Sequence, residues 1–274
     1  IGLLLGLNGS QNPFSGTDTY KSLSDLPLDE RVVEMKKKEI KEKILSEDPI
    51  KGSTFPLINR IGYSQMYRFG SPPNYNPKQE DSIENLARVK GISAAEMAYD
   101  ILLENEGNNF IYAPLVNYAD HTFNVCQTML EDKNAIMGLG DGGAHVGFIL
   151  DAGYPTWLIS YWSVKKKVFS MEETIRRLTS DTAIAAGLSD RGLLKVGLKA
   201  DINIIDWDNV GSSDPFMTQD LPAGGKRLMQ HTKGYVATIV AGKITYENGN
   251  STKERPGILV RSVKDSQKVF ALSN

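Results

Sequence analysis

The chain has 274 residues, 41% hydrophobic and 23% charged, with a formal net charge of −2 and a pI of about 6.0. That is enough for one large domain, or for one domain and a piece of another, with a core that needs no disulfide staples. The near-neutral balance excludes a basic field for nucleic acid or anionic lipid. The single cysteine, Cys126, excludes an intramolecular disulfide and fits a reducing, cytoplasmic compartment.

The first residue is Ile1, and Ile1–Leu7 is apolar throughout. This run is too short to span a bilayer and has no basic flank, so it reads as a buried strand. Because the sequence does not start with methionine, it is expected to be a fragment or processed piece of a longer protein. Asn8–Tyr20, rich in Asn, Ser, Gly and Thr, reads as a loop. Leu28–Asp48 places Val32, Val33, Met35, Ile40 and Ile44 among Lys and Glu, which predicts a solvent-exposed amphipathic helix. Lys36, Lys37 and Lys38 read as its solvated face. Phe69–Asp81, with Pro72, Pro73 and Pro77, predicts an irregular excursion.

Ser93-Ala94-Ala95-Glu96 has the pattern of a capping box, opening a helix to about Asn105 with Gly107 just past its end. Asn109–Val116 predicts a buried strand, Thr122–Leu130 a helix, and Ala135–Gly140 a second short strand. Both strands are apolar throughout, so parallel pairing in an α/β sheet or barrel is expected. Ser170-Met171-Glu172-Glu173 is a second capping box, opening a helix through Ala186 with Gly187 as its stop. From Gly192 the texture becomes alternating, over Ala200–Asp206, Tyr235–Ala241 and Lys243–Glu247, with Gly242 in a turn. This predicts antiparallel β structure and a boundary near Gly187, dividing the chain into 1–187 and 188–274.

The most informative stretch is Gly138-Leu139-Gly140-Asp141-Gly142-Gly143-Ala144-His145, where an apolar run ends on a carboxylate and two glycines. Residues just past strand C-termini form the active sites of α/β barrels, and Gly142 and Gly143 leave room for a ligand beside Asp141. Read locally, Asp141 is either a catalytic carboxylate or a cap on backbone amides. His145 alone reads as a hydrogen-bonded structural histidine. His121, His145 and His231 form no His-x-His or His-x-x-x-His pair, so a zinc site built by this chain alone is not expected. Cys126 reads as a core residue. No nucleophile elbow, phosphate loop or dinucleotide fingerprint is present.

Gly140–His145 resembles the Ser-Asp-Gly-Gly-Ala-His segment of the D-aminoacylase (N-acyl-D-amino-acid deacylase) branch of the amidohydrolase superfamily. The resemblance continues in order through Asp151–Thr156, Arg177–Ala183, Asp190–Gly192, Gly197–Asn203, Asp220–Arg227, Gly234-Tyr235 and Val240–Lys243. At the start, Gly2–Leu7 with Asn12-Pro13-Phe14 is similar to the middle of such enzymes. It implies an α/β fold: the C-terminal part of a (β/α)8 TIM-like barrel over 1–187, with helical and loop insertions, then the C-terminal part of a small β-sandwich over 188–274. It implies zinc as cofactor of the full-length enzyme and an N-acylated amino acid as small-molecule substrate, with no nucleic acid or membrane partner and no indication of oligomeric state. Asp141 would be the carboxylate ending the last barrel strand, which in the family contacts the metal-bound water and shuttles its proton, and is a possible metal contact. Gly142, Gly143 and His145 would line the substrate site, His145 either facing the pocket or holding Asp141.

The chain has Gly140 where the family usually has Ser, and it lacks the family's His-x-His pair and middle-strand ligands. The isolated chain is therefore expected to show no hydrolase activity. Asn117, Tyr118, Tyr154 and Trp157 are candidates for shaping a pocket, though each also reads as packing. The alternatives are a cyclic-amide hydrolase of the dihydroorotase or hydantoinase type, against which the Asp220–Gly225 segment argues, and a non-catalytic interaction module.

Overall fold

The computed structural model describes residues 2–138, 140 and 145–260. In chain order the elements are β1 (Gly2–Gly6), α1 (Asp18–Leu23), α2 (Leu28–Met35), α3 (Lys38–Ser46), α4 (Leu57–Ile61), β2 (Tyr67–Arg68), α5 (Ile83–Lys90), α6 (Ala94–Leu103), β3 (Phe110–Pro114) and α7 (Asn124–Glu131). They are followed by α8 (Tyr154–Trp157), a π-helical stretch Leu158–Lys165, α9 (Met171–Leu178) and α10 (Ser180–Ala185). The remainder is β4 (Ile202–Ile205), β5 (Gly211–Ser212), β6 (Phe216–Leu221), β7 (Gly225–Met229), β8 (Thr232–Lys233), β9 (Tyr235–Val240), β10 (Lys243–Glu247) and β11 (Asn250–Ser251). Among the described residues no helix is long and apolar enough to cross a membrane. The described residues fall into two compact units, one within 1–128, 141–151 and 214–229, the other within 129–140, 152–213 and 230–274.

The first unit is built on the sheet β1-β3-β2. The apolar run at the chain start is a strand because both its faces are buried. Leu3, Leu5 and Leu7 enter a core with Val32 and Met35 of α2, Ile44 of α3 and Ile101 of α6. Leu4 points the other way, into a cluster with Tyr67, Phe69, Tyr112 and Tyr118. Gly6 is required by the partner strand, since a Cβ there would lie 2.8 Å from the Phe110 ring. The outer edge of β1 is covered: Leu4 N donates to Phe148 O at 2.8 Å and Leu3 bridges Ile149.

The expected parallel pairing is corrected. β3 pairs with β1 and with β2, both antiparallel. Residues 135–138 and 140 are not in a strand, and Ile136 is exposed, so this run has no ladder to complete. The long helix expected over 28–48 is two helices, α2 and α3, burying Val32, Met35 and Ile44 while their charged faces stay in water. The Ser93 cap forms, its Oγ accepting from Glu96 N at 3.1 Å, but the Glu96 carboxylate pairs with Lys41 Nζ at 3.0 Å instead of closing the box.

In the second unit the helix expected through Ala186 breaks at Thr179 (φ −125°, ψ −85°) into α9 and α10. Gly187 stops it as expected, left-handed at φ 70°, with Leu188 N reaching back to Ala183 O at 2.8 Å. The antiparallel texture is present: β11-β10-β9-β4 form one antiparallel sheet. Ala241 and Gly242, both at positive φ, turn β9 into β10. Arg177 is 7% exposed, stacks on Phe169 and donates to Leu130 O at 2.8 Å.

Candidate functional site

The C-terminal end of β1 opens into a polar cavity of about 510 Å³ in the first unit. Its floor is the Asn8–Gln11 turn, where Gly9 N donates to Gly6 O at 3.2 Å and Ser10 N to Gly147 O at 3.2 Å. One wall is held by Arg31 of α2. Its Nη1 donates to Leu7 O at 2.7 Å and also contacts the Tyr20 hydroxyl. Nη2 donates to Ser24 O and Leu26 O, and Nε to Leu23 O. A guanidinium has five N–H donors, and here all are used to clasp the loops on either side of α1. The neighbouring Tyr20 hydroxyl is pushed up by burial, against the opposing pull of Arg31.

The opposite wall is the β6–β7 hairpin. Asp220 and Arg227 fix it with a bidentate pair, both contacts at 2.7 Å. That pairing draws the Asp220 carboxyl below its usual range, the Arg227 hydrogen bond being the larger cause. Leu228 N then donates to Val146 O at 2.7 Å, tying the hairpin to the turn that begins at His145. Lys226, beside this anchor, reaches the cavity and donates to Asn8 Oδ1 at 3.3 Å. Among the described lining residues three, Lys21, Arg31 and Lys226, are cationic and none is acidic.

Asp141, Gly142 and Gly143 lie outside the described residues. His145 is exposed. Its carbonyl accepts from Phe148 N at 3.0 Å and Ile149 N at 2.9 Å, and its ring meets the Phe148 ring edge-on at 5.5 Å. His145 therefore starts the turn that brings Gly147 into the cavity wall. Among the described residues no group of three or more His, Cys, Asp or Glu is placed to hold a metal ion. The described side chains thus do not by themselves fit the implied zinc.

Of the pocket-shaping candidates, Tyr118 is a packing residue, 1% exposed, donating to Pro77 O at 2.6 Å. Asn117 is exposed and accepts from Cys126 Sγ. Trp157 stacks on Tyr161 at 4.3 Å, in the second unit. Cys126 is not the core residue expected but half-buried, its thiol pushed up by desolvation. His121 sits between the Tyr67 hydroxyl and Gln65, beside a Tyr67 phenol raised to about 12 by burial. The sequence does not single out Lys21, Arg31 or Lys226 as site residues, and Lys226 enters it only as part of the Asp220–Arg227 segment. The available signal was a small-polar loop directly after an apolar strand, the position where α/β folds place their sites.

Residues 58–246, more than half of the chain, match the amidohydrolase family. The chain belongs to that family. It is also 33% identical over 89 residues to a dihydroorotase of Lactobacillus acidophilus, a match covering 31% of this chain and 20% of that protein. The chain thus spans about a fifth of that relative's length in the match. No solved structure matches.

Proposed function

We propose that the protein carrying this chain hydrolyses the amide bond of an N-acyl-D-amino acid, releasing a carboxylate and a free D-amino acid. The family match over residues 58–246, which contains Asp141 and its glycines, carries this reading. Asp141 accepts the proton of the water that attacks the carbonyl carbon, and returns it to the departing nitrogen as the C–N bond breaks. Gly142, Gly143 and His145 border the substrate. Zinc, the cofactor implied by resemblance, would be held by ligands beyond the described residues. In this reading residues 1–187 contribute to the barrel and 188–274 to the β-sandwich of the assembled enzyme, working in the cytoplasm.

The dihydroorotase match favours a second reading, cyclic-amide hydrolysis, with the same proton carrier and a ring-opened product. The two are separated by assaying the longer protein with N-acetyl-D-leucine, N-acetyl-L-leucine and dihydroorotate. Turnover of the D-compound alone supports the first reading. Turnover of dihydroorotate alone replaces it with the second.

A further inference from the structure

The β1 cavity carries positive charge in a chain whose net charge is −2. Among the described residues its three cations face no lining carboxylate, and their field favours an anion. The cations are not equivalent. Arg31 supplies charge, but its donors are turned to backbone carbonyls. Lys21 makes a loose ion pair with Asp18 at 3.8 Å, the Asp18 side chain being almost fully exposed. Lys226 gives one hydrogen bond, to the neutral Asn8 amide, and an ammonium has three N–H donors. It is also the cation whose backbone runs directly into two anchors, the Asp220–Arg227 fork and the Leu228–Val146 bond.

A second feature concerns donors on the ligand. Gln11, in the same wall, gives its Nε2 to Thr54 Oγ1 at 3.3 Å and buries its Oε1 with no hydrogen-bond partner. An unmet buried acceptor costs about 1–3 kcal/mol. The terminal amide torsion is soft, so a small rotation presents this oxygen to an N–H in the cavity. A cavity with an anchored ammonium and an unmet amide oxygen fits a ligand that carries a carboxylate and an amide N–H on one small frame.

We infer that this cavity is the carboxylate subsite for the N-acyl amino acid, with Lys226 pairing the carboxylate and Gln11 Oε1 accepting from the amide N–H. The inference rests on the amide-hydrolase reading above and assigns its substrate anchor. The Asp220–Arg227 segment has a physical task in it: the hairpin is fixed so that Lys226 holds one position against β1. Arg31 is a positioning residue, keeping the floor at Leu7 and the Ser24–Leu26 loop in place.

The test is a calorimetric titration of the chain with N-acetyl-D-leucine, with its uncharged analogue N-acetyl-D-leucinamide, and with inorganic phosphate. The acid is expected to bind saturably. Loss of the ligand charge, or Lys226→Met, is expected to weaken binding about tenfold or more, the scale of one charge-assisted hydrogen bond. Lys226→Arg should retain most of the affinity, and Lys38→Met, on an exposed helix face outside the cavity, should leave it unchanged. Equal affinity for acid and amide, or indifference to Lys226→Met, overturns the subsite. Phosphate binding as tightly as the acid overturns the carboxylate assignment. If binding follows Lys226 but the longer protein does not turn over N-acetyl-D-leucine, the hydrolytic reading alone fails. If turnover occurs with a KM indifferent to Lys226→Met, the subsite alone fails.

Discussion

Glu47 shows how a single side chain sets a pH dependence in this chain. Its carboxylate accepts from Thr19 N at 2.9 Å and from the Thr19 hydroxyl, capping α1 from 28 residues away. These bonds, the hydroxyl one foremost, hold the carboxyl below its usual range. A lowered folded value means stability that is present above the ordinary glutamate range and lost as pH falls through the lowered value. Glu47→Gln is therefore expected to cost about 1 kcal/mol at neutral pH, measured by urea unfolding, and progressively less as pH falls below the ordinary glutamate range. A cost that does not change between neutral and acidic pH would refute this role. Arg31 carries a larger burden, because removing its guanidinium strands four backbone carbonyls at once. Arg31→Met is expected to lose about 3 kcal/mol or more in the same assay. None of this was legible in the sequence: Arg31 looked like one more cation on a charged helix, and its carbonyl partners come from two segments, Leu7 and Leu23–Leu26.

At the level of elements, structure is legible in the sequence where a local cause fixes the outcome and not where a partner does. The Ser93 and Ser170 caps form because a serine Oγ meets an amide three residues on, within one turn. Gly187 ends its helix because αL backbone suits glycine. β1 and β3 are strands because both faces are apolar, which the run itself displays. Their direction is a property of the partner, and a run of Leu does not encode it; the antiparallel register of Leu4 against Tyr112 is set by aromatic packing over Gly2 and Gly6. Two substitutions test these accounts. Leu5→Ala removes a fully buried side chain in mid-strand and is expected to cost about 2–5 kcal/mol. Gly192, at φ 94°, turns against α10 where a Cβ would lie 2.9 Å from Ala183 Cβ and 3.1 Å from Ser180 Cα. Gly192→Ala should cost about 2 kcal/mol or more, combining αL strain with overpacking. A stability within 0.5 kcal/mol of wild type, flagged as a surface-like effect, would contradict that packing.

For the whole molecule, many short matches in order made the amidohydrolase superfamily legible in the sequence, and the family match agrees at that level. The cavity was not legible, because its walls come from residues near 10, 31, 147 and 226, brought together only by the fold. In the proposed reading Asp141 carries the proton and Lys226 anchors the substrate, with the metal held by ligands beyond the described residues. Zinc added to this chain alone is accordingly expected to leave its melting temperature unchanged. The most direct test of the central claim is the zinc-loaded longer protein hydrolysing N-acetyl-D-leucine, wild type against Asp141→Asn. The account predicts a fall in kcat of about a hundredfold or more with KM little changed, as expected for loss of a proton carrier. Hydrolysis by Asp141→Asn at the wild-type rate would contradict it.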